Sequence, residues 1–256
     1  MTVLAVIGGT GTNQLPGFSQ TACSHPETPF GPTSGPLLEG EIAGRPCLFL
    51  ARHGTPHHLP PHRINYRANL WALHAAGAQR LIGINAVGGI EPLLVPGELV
   101  IPDQVVDYTY GRAHTFYDGS GQGVAADALE HIDFTEPYDR DMRRDLVQLA
   151  EAQSLPFSAS GTLAVTQGPR LESAAEIRRL RNDGCDVVGM TGMPEAALAR
   201  ELGLRYASLC VVVNPAAGLS DALITLESMQ SALTRGANLV QALLTAYLQA
   251  VDDPRG

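Results

Sequence analysis

Short apolar runs alternate along this chain with longer stretches in which apolar residues return every three or four positions. The runs cover residues 3–7, 47–51, 81–85, 99–102, 162–166, 185–190 and 206–213. Several are apolar almost throughout, the pattern of strands covered on both faces. Helical spacing covers 65–76, 139–152, 172–182, 194–202 and 225–251, and Gly77 and Gly203 stand where two of these helices should stop. The alternation predicts a single α/β domain over residues 1–256, a mixed twisted sheet flanked by helices. Residues 107–135, rich in Gly, Asp, His and Tyr, predict a long functional or mobile loop.

Composition and charge narrow the picture. With 45% apolar and 17% charged residues, the chain reads as globular. A net charge of −9 argues against broad nucleic-acid or membrane binding, yet a small anion can still be held by locally focused basic groups. The four cysteines are too widely spaced for a zinc motif. Cys47, Cys185 and Cys210 lie in or beside apolar runs and are expected to be buried reduced thiols. The N-terminal MTVLAVIGGTGTN lacks a basic leader, and no apolar run reaches membrane-spanning length, so a cytoplasmic protein is expected.

Candidate chemistry collects at predicted strand ends, where ligands gather in open α/β sheets. The first strand runs into Gly8-Gly9-Thr10-Gly11-Thr12, either a tight turn or a set of backbone N–H groups for phosphate. The second ends in Arg52-His53, a fork and an imidazole that suit an oxyanion, or an exposed loop pair. The third is expected to end at Asn85, followed by Ala86, Gly88 and Gly89, the glycines letting backbone approach a ligand. Thr191, before a helix starting near Pro194, is either an anion contact or a simple cap. Four strand ends with matching chemistry predict one oxyanion pocket.

His53, His57, His58 and His62 have a spacing that could suggest a metal. Pro56, Pro60 and Pro61 break any helix that would align them, and no carboxylate or cysteine is near, so no metal is expected. Glu172 and Asn214 offer a carboxylate and an amide that suit the edge of an amide-like ring; otherwise Glu172 is a first-turn helix charge and Asn214 a turn former.

The motifs VIGGTG, ARHG, NYRANLWAL, NAVGG, TQGPRLES, GMTGMPEAALARE and YASLCVVVN, in this order, resemble the trimeric purine nucleoside phosphorylase and methylthioadenosine phosphorylase family from about residue 3 to 248. The resemblance implies that orthophosphate cleaves an N-ribosidic bond, releasing a purine and a ribose 1-phosphate, with no metal and no organic cofactor. It implies a phosphate site of Thr10, Arg52, His53, Asn85, Ala86 and Thr191, with Met190 against the ribose and Gly88, Leu171, Glu172, Asn214 and Ala216 around the base. Leu171 departs from the Phe usual in the family. Asn214 with Ala216, where 6-aminopurine enzymes carry two Asp, and Glu172 together imply a 6-oxopurine. Leu226 falls where ordinary nucleoside phosphorylases place a His for the 5′-hydroxyl, which implies an apolar 5′-methylthio group. His131 implies a homotrimer with shared sites, reaching a neighbour's sugar pocket. The substrate expected on these grounds is 5′-methylthioinosine, giving hypoxanthine and 5-methylthioribose 1-phosphate. Inosine, guanosine and 5′-methylthioadenosine are the alternatives, and a non-catalytic purine-binding protein is the alternative from another class.

Overall fold

A computed structural model of the chain describes residues 3–12, 15–119, 131–220 and 223–251. Among them, an 11-stranded mixed sheet is organised around one long strand. On one side lie β1 (Val3–Gly8), β2 (Phe18–Ser24), β3 (Leu37–Ile42) and β4 (Arg45–Ala51), in the spatial order β2-β3-β4-β1. The central strand is β5 (Ala78–Gly89), with β6 (Leu99–Val100), β7 (Gln104–Asp107), β8 (Phe157–Ser158), β9 (Thr162–Val165), β10 (Val187–Gly189) and β11 (Arg205–Pro215) completing the sheet.

β5 changes partners along its length. It pairs in parallel with β1 as far as Ile7↔Gly83, and with β10, antiparallel, at Val188↔Gly88 and Val187↔Gly89. Between Gly83 and Gly88 that edge of β5 has neither neighbour in register, while β11 stays parallel on the other edge. A crevice therefore opens where β1 and β10 splay apart, the switch-point position at which open α/β sheets bind ligands. The strand was expected to end at Asn85; it continues to Gly89. Gly88 faces the crevice, whereas the space beside Gly89 is taken by Val212 and Leu94, so Gly89 serves packing rather than a ligand.

The core has two faces, as the strand alternation requires. Ala5 and Ile7 of β1 pack with α1 (Tyr66–Ala75) and α4 (Gly192–Glu201), while Leu4 and Val6 pack with α2 (Arg140–Ala152) and α5 (Leu226–Val251). A smaller cluster holds α3 (Ala174–Asn182) through Ile177 and Leu180 against β9 and β10. The edge strand β2 was not anticipated, because six of its seven residues are exposed and leave no apolar alternation to read. Cys47, Cys185 and Cys210 are buried and free, and Cys23 is free and exposed. Among the described residues, no helix is long and apolar enough to cross a membrane.

Candidate active site

A cavity of about 300 Å³ occupies the crevice. One end is formed by Gly9 and Thr10 after β1, by His53 and His57 after β4, and by Ala86 on β5 and Thr191 after β10. Gly9 is glycine for lack of room: a Cβ there would lie 2.7 Å from the Ile84 carbonyl and 2.9 Å from Arg52 Nη1. The turn is closed by the Thr12 backbone N–H, which donates to Gly9 O at 3.0 Å.

His53 is buried, and its Nδ1 meets the Leu59 carbonyl at 2.8 Å, which makes Nδ1 the protonated nitrogen. Burial first, then the neighbouring Arg52 charge and His57, outweigh that bond and lower its pKa to about 4. At neutral pH the ring is therefore uncharged and Nε2 carries no proton. His57 stacks on it, ring centroids 4.2 Å apart and planes 11° from parallel. Among the described residues, no three His, Cys, Asp or Glu side chains come together as a metal site needs.

Two of the residues expected to touch phosphate lie behind the cavity wall. Arg52 is fully buried; its Nε and Nη2 donate to the two oxygens of Glu195 at 2.7 and 2.8 Å, and Nη1 donates to Ile84 O at 2.7 Å. Its side-on fork is thus already filled, and two guanidinium hydrogens remain. Burial alone would pull the Arg52 pKa down; the Glu195 carboxylate more than reverses this and holds it above its ordinary value. The Tyr206 hydroxyl donates to the same carboxylate at 2.9 Å. Asn85 is also buried, its Oδ1 accepting from the Thr191 hydroxyl at 2.7 Å and its Nδ2 donating to Ser208 Oγ at 2.9 Å. Thr191 sits at the N-cap of α4 but makes no side-chain capping bond, so it is not the simple cap. Asn85 orients Thr191 rather than lining the cavity.

The opposite wall carries the ring-edge chemistry. β11 bulges at Val213, between Val212↔Val87 and Asn214↔Gly88. A regular strand sends neighbours to opposite faces, and the bulge lets Val213 and Asn214 both line the cavity. Asn214 Nδ2 donates to the Pro215 carbonyl at 2.6 Å. Glu172 was expected inside a helix, yet α3 begins two residues later, at Ala174. Ser173 and Glu176 form a reciprocal capping box that ends the loop before the helix, a signal readable as Ser-Ala-Ala-Glu. Glu172 is therefore a loop residue, with Oε1 accepting from the Thr166 hydroxyl at 2.6 Å. Leu171, Met190, Ala216 and Gly88 complete this part of the wall.

The remaining end is apolar, formed by Ile224, Met229 and Leu233. Leu226 opens α5, and its side chain lies outside the described residues. His131 is exposed and is not part of the cavity wall. Sequence reasoning missed Glu195, Ser208, Ile224, Met229 and Leu233, and met His57 only as one member of the histidine cluster. Glu195 alone left a trace: one acid within the apolar run Met-Pro-Glu-Ala-Ala-Leu-Ala implies a buried partner.

The model of the Phosphorylase superfamily matches residues 3–249. The chain belongs to this superfamily. Among superfamily relatives, a probable S-methyl-5′-thioinosine phosphorylase of Pseudomonas syringae pv. tomato is 53% identical over 253 residues, covering 98% of this chain and 100% of that protein. The 6-oxopurine nucleoside phosphorylase of Pyrococcus furiosus is 40% identical, covering 98% and 94%. Among solved superfamily structures, methylthioadenosine phosphorylase from Schistosoma mansoni in complex with adenine superposes with a TM-score of 0.90 at 31% identity, covering 98% of this chain and 92% of that one.

Proposed function

We propose that the chain catalyses phosphorolysis of 5′-methylthioinosine to hypoxanthine and 5-methylthioribose 1-phosphate. The observation that carries the reading is one cavity with three chemically distinct ends: an oxyanion turn with His53 and Thr191, a carboxylate–amide pair, and an apolar end. The sequence kinship to the Pseudomonas syringae protein, whose name gives the same nucleoside, supports it.

In this reading a phosphate oxygen attacks C1′ as the bond to purine N9 breaks, and its electron pair leaves with the base. Holding phosphate beneath the sugar turns the encounter into a reaction between fixed neighbours. Thr10, Ala86 and Thr191 contact the phosphate, and Arg52 reaches it across Gly9 with its two remaining hydrogens. A hydrogen phosphate donates its own P–OH to the bare Nε2 of His53. Glu172 accepts from purine N1–H. Asn214 donates to O6 and, once a proton from solvent has reached N7, accepts from N7–H, relieving the charge that builds on the leaving base. Met190 lies against the ribose, and Ile224, Met229 and Leu233 enclose the methylthio group. None of these steps calls for a metal or an organic cofactor.

The proposal extends to a closed trimer, with His131 of the partner subunit reaching the sugar end, and to a reducing cytoplasm suited to four free thiols. The test is product chromatography with methylthioinosine, inosine, guanosine and methylthioadenosine, with and without phosphate, alongside light scattering. The expected result is phosphate-dependent hypoxanthine release, with methylthioinosine favoured over inosine by at least about tenfold in kcat/KM. Phosphate-independent turnover overturns the reaction, an inosine preference overturns the sugar assignment, and an active monomer overturns the trimer.

A further inference from the structure

Arg112 has no place in the chemistry above, yet it is the best-connected side chain around the cavity. It comes from the loop after β7, is 8% exposed, and meets no carboxylate. Its Nη1 donates to Met190 O at 2.9 Å, Met193 O at 2.6 Å and the Tyr66 hydroxyl at 3.2 Å. Its Nη2 donates to Thr166 O at 3.2 Å and Gln167 O at 2.9 Å, and its Nε donates to Gln167 Oε1 at 3.2 Å. A buried cation hydrogen-bonded only to carbonyl, amide and phenol oxygens is a costly arrangement: burial lowers the Arg112 pKa, and the nearby Tyr66 and Asp107 only partly offset this.

Three of these contacts lead to a cavity wall. Met190 lines the cavity directly. Thr166, held through its carbonyl, uses its hydroxyl to fix Glu172. Tyr66, held through its hydroxyl oxygen, donates in turn to Pro61 O at 3.1 Å, and Pro61 also lines the cavity. The two loops also touch without Arg112: a Cβ on Gly168 would lie 2.5 Å from Met190 Sδ.

We propose that Arg112 is a positioning residue that locks the base-reading loop at Glu172 to the sugar-side turn at Met190, so that base and sugar recognition act as one unit. The inference rests on the phosphorolysis reading and deepens it. A planar guanidinium with five diverging hydrogens spans both loops at once, whereas an ammonium on a flexible stem serves one or the other. At the phosphate end Arg112 flanks only Thr191, through the Met190 and Met193 carbonyls, while Gly9, Thr10, His53 and Ala86 stand on elements with which it makes no hydrogen bond.

The test is a double-mutant cycle on the full-length enzyme: wild type, Arg112→Lys, Glu172→Gln and the pair, with KM for nucleoside and for phosphate measured separately. Arg112→Lys is expected to lower nucleoside kcat/KM by about tenfold while phosphate KM moves less than about threefold. In that background Glu172→Gln should cost about threefold or more less than in wild type, because the carboxylate is already displaced. Gln167→Met, which removes one acceptor and keeps the cation, should give a smaller loss with the same split, and it serves as the test if Arg112→Lys fails to fold. Additive costs, or equal losses in both KM values, overturn the inference. Absence of any phosphate-dependent product overturns the reaction itself, a result read in the wild type alone.

Discussion

Arg52 and Glu195 form a two-point ion pair, at 2.7 and 2.8 Å, from which solvent is wholly excluded. Removing one partner strands the other's charge in the interior. Glu195→Ala should therefore lower unfolding free energy by about 3–5 kcal/mol in urea titration. Arg52→Lys keeps a charge but loses the fork, and phosphate KM should rise at least about tenfold while nucleoside KM changes less. A phosphate KM unmoved by Arg52→Lys would remove Arg52 from the phosphate site.

His53 makes stability depend on pH with a definite sign. Its pKa is lowered to about 4 in the folded chain, so between the ordinary histidine value near 6.5 and 4 only the unfolded chain takes up the proton. Stability from this group is intact above about pH 6.5, falls as pH drops through that window by about 3 kcal/mol, and levels off below 4. His57 is lowered too, chiefly by burial, and adds loss of the same sign. Urea midpoints at pH 7 and pH 4.5 should differ, and His53→Asn should shrink the difference.

The thiols divide sharply. Burial pushes the Cys47 and Cys210 thiols up to about 12 and raises that of Cys185, while Cys23 lies exposed on the edge strand β2. A maleimide at neutral pH should label Cys23 alone in the native protein and all four cysteines after denaturation, as read by mass spectrometry. Rapid native labelling at Cys210 would show that the β11 wall opens.

Base preference should follow the carboxylate–amide pair. Asn214→Asp, unable to donate to O6, should lower methylthioinosine kcat/KM by about tenfold or more. Adding Glu172→Ser removes a carboxylate that faces adenine N1, and should raise methylthioadenosine turnover above that of the single variant. If Asn214→Asp leaves methylthioinosine turnover unchanged, Asn214 does not read the base.

The sequence disclosed those parts of the molecule in which local chemistry and global position agree. Runs such as 3–7 and 206–213, the second broken only by Ser208, are apolar because both faces of β1 and β11 are covered, so periodicity sufficed. Gly9, Thr10, His53, Ala86, Thr191 and Asn214 sit at the ends or bulges of such strands, and all line one cavity. Arg52 and Asn85 were legible as polar residues in the right place, but not as wall-backing residues, because burial by Glu195 and Ser208 is settled by contacts more than 120 residues away in sequence. Arg112 left no local signal at all: in a polar loop an arginine reads as solvated, and its role appears only once the loops it bridges are brought together.

The apolar end of the cavity is carried by α5 and the residues just before it. Met229 and Leu233 are four residues apart and share one face of the helix, with Ile224 ahead of them. Met229→Gln should erode the preference for a methylthio tail by about threefold to tenfold, leaving phosphate KM unchanged, in paired kcat/KM measurements. Leu233 is less free to vary, since a Cβ on Gly11 would already meet its Cδ2 at 2.7 Å, and a bulkier residue there would press on the oxyanion turn. On the methylthioinosine reading, tail preference is thus written mainly on Ile224 and Met229, a piece of the wall distinct from the oxyanion turn that Leu233 touches. A lineage could retune which nucleoside it salvages through positions 224 and 229, while the reaction it performs stays the same.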